Sequence, residues 1–249
     1  MSGHSKWANI KRRKGKVDEE RGKIFTKISK EIHVAVRQGG ADPEGNFRLK
    51  LCIQNAKANN MPAENINRAI AKAAGAGSGD DYEEIFYEGY GAGGAAVLCA
   101  IMTNNRNRTA SEIRYLFSRN NGNMGETGCV SWMFERKGQL IVSLEDKDPD
   151  DLMLLALEAG AEDFAEQGEE AEIITAAEAL ETVREAVLAG GYEVKNGEIT
   201  MLAGNTITVE SAEQAQKLLK LTEALEDNDD VRAVYANYNI PDEILEQME

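Results

Sequence analysis

The sequence predicts an α+β protein of three domains: a small helical amino-terminal domain, a middle α/β domain, and an acidic ferredoxin-like (βαββαβ) domain inserted into the middle one. Three observations carry this. Apolar residues recur with a helical period in the first third, and shorter apolar runs with strand character follow a glycine-rich break. Between Leu140 and Leu202 the elements read strand, helix, strand, strand, helix, strand. Charge is also sorted by position. Residues 1–78 hold 16 basic and 7 acidic side chains (+9), residues 79–137 hold 6 and 8 (−2), and residues 138–249 hold 6 and 28 (−22), within a total of −15. The predicted domains are 1–78 (basic arm plus helices), 79–137 with 203–240 (middle domain) and 138–202 (acidic domain), with 241–249 as a tail.

The first sixteen residues offer little beyond Trp7 and Ile10 to bury, so they read as an arm that orders on binding. A helix is expected from about Glu20 to Gln38. Ile24, Phe25, Ile28, Ile32, Ala35 and Val36 share one face there, with Lys23, Lys27, Lys30 and Arg37 opposite. Gly39-Gly40 ends it. A second helix is expected from about Glu44 to Asn59, and Pro62 opens a third. Gly75 to Gly79 reads as a linker, having three glycines and no large side chain.

Ile85–Tyr87 and Ala95–Met102 then read as strands about a glycine-rich turn, Thr109–Arg119 as a helix, and Val130–Phe134 as a strand. The acidic domain reads as strands at 140–144, 162–165, 172–175 and 192–201, with helices at 149–159 and 179–189. A helix beginning at Ser211 and a strand at Val231–Tyr238 are left over. They can complete the middle sheet, which makes the acidic unit an insertion.

At 42% hydrophobic and 29% charged the composition is globular rather than disordered. Cys52, Cys99 and Cys129 are odd in number and widely spaced, which fits reduced thiols. The longest apolar run, Ala95–Met102, is far below the roughly 20 residues of a membrane span, and no apolar stretch follows the basic start. Asp18, Glu19 and Glu20 interrupt the basic segment as a mitochondrial leader would not, so a cytoplasmic protein is expected.

Catalysis finds few candidates. His4 lies in the arm, and His33 falls between the apolar and basic faces of its helix, where a surface or rim histidine is expected. Gly89-x-Gly91-x-x-Gly94 has the spacing of a dinucleotide fingerprint, but a strand rather than a helix follows, so the glycines read as a hairpin turn. Acidic pairs such as Asp80-Asp81 and Asp229-Asp230 are common in so acidic a chain and argue weakly for metal. No enzyme activity, cofactor or metal is expected.

Binding to a polyanion is the stronger reading. Ten of the first thirty residues are basic against three acidic. Lys6, Lys11, Arg12, Arg13, Lys14 and Lys16 suit phosphate, and Trp7 among them offers a ring on which a base can stack. Lys23, Lys27 and Lys30 extend the charge along the first helix. The segment Asn104–Thr109 places Arg106 and Arg108 among amides between a strand and a helix, with Arg114 a little further on. Asn107 and Thr109 serve equally well there as plain helix caps.

Several long strings in the chain are distinctive: GHSKWANIKRRK from Gly3, RGKIFTKISKEI from Arg21, NNMPAENINRAI from Asn59, YEGYGAGG from Tyr87, NRNRT from Asn105 and GNMGETGCVSWMFERKG from Gly122. In these the sequence resembles the YebC/PmpR family along nearly its whole length, the stretch from Gly138 to Leu202 mainly in pattern. It departs at Arg13, where the family often has His, at Phe47 and Ala92, where it often has Pro, and at Asn104, where Asp is usual. The resemblance implies three domains around a cleft. It also implies one of two roles: a DNA-binding transcriptional regulator, as the family is usually labelled, or a ribosome-linked factor aiding synthesis of proline-rich segments.

Charge favours the second role. A ribosome offers RNA phosphates and unpaired bases to the arm and basic proteins to the acidic domain, whereas naked duplex DNA would meet the −22 region as well. The expected partner is therefore nucleic acid, ribosomal RNA ahead of DNA, with basic ribosomal proteins against the acidic domain and no membrane.

Overall fold

The computed structural model describes residues 19–75, 82–145 and 147–248. The expected arm (Lys6, Trp7, Lys11, Arg12, Arg13, Lys14, Lys16), most of the expected linker, and His4 lie outside the described residues. The chain divides into two compact units, residues 135–202 and the remainder. Each is described by itself.

In the larger unit, α1 (Glu19–Gly39), α2 (Phe47–Ala58) and α3 (Ala63–Ala74) enclose a core of Ile28, Ile32, Ala35, Leu49, Ala56 and Ile66. The periodic apolar face of α1 dictates this packing. Gly40, at φ +87°, ends α1 and donates its N–H to Val36 O (2.8 Å), in the left-handed conformation that glycine adopts without strain. Buried Asn46 caps α2, accepting from the Leu49 N–H at 3.0 Å and donating from Nδ2 to Ala35 O and Gly40 O at 2.8 Å each. One side chain thus fixes the angle between two helices.

The same unit contains a four-stranded sheet in the order β3-β1-β2-β9, formed by β1 (Glu83–Tyr90), β2 (Ala96–Thr103), β3 (Asn123–Met124) and β9 (Val231–Ala236). Strands β1 and β2 form an antiparallel hairpin, with Glu83 opposite Thr103 and Tyr90 opposite Ala96. The glycine-rich segment is the turn of that hairpin, with Gly93 and Gly94 at φ +69° and +77°. Gly89 lies inside β1, where a Cβ would meet Asn123 O at 2.5 Å. The fingerprint spacing therefore reflects a turn and a close backbone approach, with no helix to receive a pyrophosphate.

Central strand β2, paired antiparallel with β1 and β9, is buried along its length. Helices α4 (Arg106–Arg119) and α7 (Ala212–Glu226) pack Ile113, Phe117, Leu221 and Leu225 against the sheet. The strand β9 pairs with β2 after the intervening acidic unit, so the late helix and strand complete the middle sheet. Asn237, accepting from the Ala96 N–H at 2.7 Å, breaks the expected last strand into β9 and β10 (Tyr238–Asn239); β10 pairs in parallel with β8 (Ile207–Thr208).

Two expectations differ in this unit. Val130–Phe134 is no strand. Ser131–Met133 make a single 3-10 turn, and the strand β4 begins at Phe134 and runs to Ser143. The tail expected at 241–249 contains a short helix, α8 (Asp242–Glu246), whose buried Ile244 joins a core with Leu218, Tyr238 and Ile240.

Residues 135–202 carry β4 beyond Phe134, α5 (Pro149–Glu158), β5 (Ala161–Gln167), β6 (Glu170–Ala176), α6 (Leu180–Ala189) and β7 (Val194–Ala203), the last reaching one residue further. The sheet order is β5-β6-β4-β7, and β6 is antiparallel to both β4 and β5. This is the ferredoxin-like arrangement that the element order predicted. Alternate β4 residues Leu140 and Val142 are fully buried, as are Leu152 on α5 and Val183 on α6. The unit begins at Glu135 rather than at Gly138 because the strand is longer than its apolar stretch. No helix among the described residues is long and apolar enough to cross a membrane.

Candidate nucleic-acid interface

The amide-rich segment before α4 is built as a helix start. Thr103, last in β2, accepts the Asn105 N–H through Oγ1 (2.9 Å), and Asn105 Oδ1 accepts the Arg108 N–H (3.1 Å). Asn105 is therefore the cap, in place of Asn107 or Thr109, since a cap side chain must reach the N–H two or three residues on. The Tyr87 hydroxyl donates to Arg106 O at 3.1 Å and ties the first turn to β1.

From this anchored turn α4 buries Thr109, Ile113 and Phe117 and exposes Asn107, Ser111, Arg114, Tyr115 and Ser118. At 100° per residue these five share one face. Its first turn contains no acidic residue and begins with exposed Arg106. The positive end of the helix dipole and the arginines therefore act in the same direction, toward an anion. Tyr115, 60% exposed, adds a ring to that face.

The expected binders Lys23, Lys27, Lys30 and Arg108 are engaged within the chain. Lys23 approaches Asp227 at 3.5 Å, Lys27 Nζ donates to Glu226 O, and Lys30 Nζ donates to Asp229 O at 2.8 Å and Asp230 Oδ1 at 2.7 Å. Three lysines one turn apart thus dock on the carboxyl end of α7 and the acidic turn after it, the negative end of that helix's dipole. Arg108 Nη2 reaches Asp230 Oδ2 at 2.6 Å, and Thr109 Oγ1 donates to the same oxygen at 2.7 Å. Arg108 is half exposed, so its charge is shared between the fold and the surface. Asp230 joins α1, α4 and β9. Burial by itself would raise its carboxyl, but donation from Lys30, Thr109 and Arg108 outweighs that and holds it down at about 2.

A second buried carboxylate organises the loop after β3. Glu88, 3% exposed, accepts the N–H groups of Gly128, Val130 and Ser131 at 2.7 Å each. Burial opposes the charge, and the three backbone donors outweigh it, holding the carboxyl below its ordinary range. The loop so pinned presents Trp132, 71% exposed, with its Nε1 donating to Cys129 O at 3.2 Å. Neither Asp230 nor Glu88 stands out in the sequence. The one signal for Glu88 is its place between Tyr87 and Gly89 at the end of the apolar run Ile85–Tyr87, where a buried acid needs partners.

His33 is buried rather than at the rim, edge-on to Tyr82 with ring centroids 5.4 Å apart. Among the described residues no group of three or more His, Cys, Asp or Glu side chains is placed to hold a metal ion.

Known proteins share this architecture. Residues 5–76 match the TACO1/YebC protein N-terminal domain, and residues 82–238 match the TACO1/YebC second and third domain. The matches define an α+β protein with a helical amino-terminal domain followed by two further domains. The chain belongs to the TACO1/YebC family. It is 54% identical over 249 residues to a probable transcriptional regulatory protein of Desulfitobacterium hafniense, covering 99% of each chain. It is 55% identical over 251 residues to one of Moorella thermoacetica, covering 100% of each. The crystal structure of a conserved hypothetical protein from Aquifex aeolicus has the same fold, with a TM-score of 0.83 at 46% identity over 91% of this chain and 93% of that one.

Proposed function

We propose that the protein is a non-enzymatic regulator of gene expression that binds nucleic acid through its basic amino-terminal segment and the exposed face of α4. The observation that carries the reading is charge placement. Lys6, Lys11, Arg12, Arg13, Lys14 and Lys16 precede α1 in a chain of net charge −15, and α4 offers Arg106 from a first turn free of carboxylates and Arg114 and Tyr115 about two turns further on. Phosphate contacts of this kind position a protein without reading bases. Transcriptional regulation is the first form of the reading, because it is what the relatives' names describe.

A translation factor on the ribosome is the second form. It is supported by the −22 charge of residues 138–249, which suits basic ribosomal proteins better than bare duplex DNA. One pair of measurements separates them. Under the first form, footprinting shows a defined promoter fragment protected at physiological salt against excess competitor DNA. Under the second, the protein sediments with ribosomes and protects no fragment. In either case the triple variant Arg106→Ala, Arg114→Ala, Tyr115→Ala is expected to bind at least tenfold more weakly than wild type, measured by fluorescence anisotropy. Unchanged affinity would remove α4 from the interface.

A further inference from the structure

We infer that the groove between α1 and α3 is a nucleotide subsite, which takes one unstacked base and its phosphate from single-stranded nucleic acid. The inference deepens the nucleic-acid reading above and rests on it. The groove is a cavity of about 370 Å³, and its walls combine two kinds of surface. Phe25, Met61 and Tyr82 supply apolar and aromatic area, while Arg68 and Lys72 supply positive charge. A flat base with a phosphate attached matches both, and the volume lies in the range of small-ligand sites. A base paired within a duplex cannot enter such a groove without leaving its stack.

Tyr82 is oriented before any ligand arrives. His33 meets its ring edge-on at an interplanar angle of 80°, and Lys30 Nζ lies 5.7 Å from the ring centroid. Lys30 is itself fixed by Asp230 and Asp229 O, so the contacts that hold α1 against the sheet also set the stacking ring. A ring held in advance loses little freedom when a base stacks on it. Across the groove, Arg68 pairs with Glu64 one turn away at 2.6 Å, with both side chains largely exposed. An exposed pair of this kind contributes little and yields readily to a phosphate. Asn65, also in the lining, brings an amide that can donate to and accept from a base edge.

The test uses the full chain with fluorescein-labelled hexamers of uridylate and deoxythymidylate, read by anisotropy at physiological salt. Both hexamers are expected to bind, and the tighter one identifies RNA or DNA as the source of the strand. Tyr82→Ala and Arg68→Glu are each expected to weaken binding about tenfold, whereas Tyr82→Phe stays within about twofold of wild type. Arg68 is on the surface, so Arg68→Glu keeps the test valid even if Tyr82→Ala disturbs folding. If both variants bind the hexamers like wild type while reversal of the arm charges abolishes binding, the subsite is wrong and the proposed function stands. Competition by hexaglutamate as strong as that by unlabelled hexamer would also overturn the subsite. If wild type binds neither hexamer nor duplex, the proposed function falls with it.

Discussion

Asp230→Asn is expected to destabilise the larger unit by about 3 kcal/mol, because it removes the charge that Lys30 and Arg108 both neutralise and leaves a buried ammonium beside an amide. For a unit of this size the melting temperature should fall by roughly 6–12 °C. The effect depends on pH in a definite direction. The Asp230 carboxyl is held at about 2 in the fold against an ordinary 3.8, so its contribution is complete above the ordinary value and is lost as pH falls through the folded one. That contribution is roughly 2 kcal/mol at neutral pH. Wild type and variant should therefore differ most near pH 7 and converge between about pH 4 and pH 2. A variant melting within a degree of wild type at pH 7 would show that Asp230 does not join the three elements.

Glu88→Gln is expected to cost about 2–4 kcal/mol and to loosen the loop that carries Cys129 and Trp132, since an amide cannot satisfy three converging N–H groups. The thiols give a direct reading. Cys52 and Cys99 are buried, and burial pushes the Cys52 thiol up to about 12, so both should react slowly in either protein. Cys129 is only partly buried and sits in the loop itself. Its reaction with an aromatic disulfide at pH 8 should be at least tenfold faster in the variant. The Glu88 contribution has the same sign with pH: present above the ordinary carboxylate range and lost on acidification through the depressed value. Equal Cys129 reactivity in the two proteins would mean that the loop is held by something else.

Local pattern and long-range contact explain what the sequence disclosed and what it hid. Helix α1 was legible almost to the residue, expected over 20–38 and found over 19–39, because its apolar period and Gly39-Gly40 are both local signals. The ferredoxin-like order was legible for the same reason, each element having its own period. Val130 misled because it is apolar and fully buried, yet the N–H groups around it go to Glu88, forty-two residues away, and not to a neighbouring strand.

The lysines of α1 misled in the opposite sense. A basic face looks solvated until a chain segment some 200 residues later brings carboxylates and carbonyls to it. Asp230 was hidden among many acidic pairs, and only three-dimensional placement separates it from them. For the candidate interface, the exposure of Arg106 in the amide-rich string and of Arg114 beyond it agrees with a surface reading of the sequence. The use of Arg108 in holding the fold could not.

The central claim is that the basic segment before α1 grips a polyanion through its phosphates, and the salt dependence of binding tests it most directly. Were that segment to neutralise about six phosphates of a single strand, the logarithm of affinity would fall against the logarithm of salt concentration with a slope of roughly −4. Changing Lys11, Arg12, Arg13 and Lys14 to Glu should reduce that slope to about −1 or less and cut affinity at physiological salt by more than a hundredfold. A wild-type slope near zero, or the same slope in both proteins, would contradict the account.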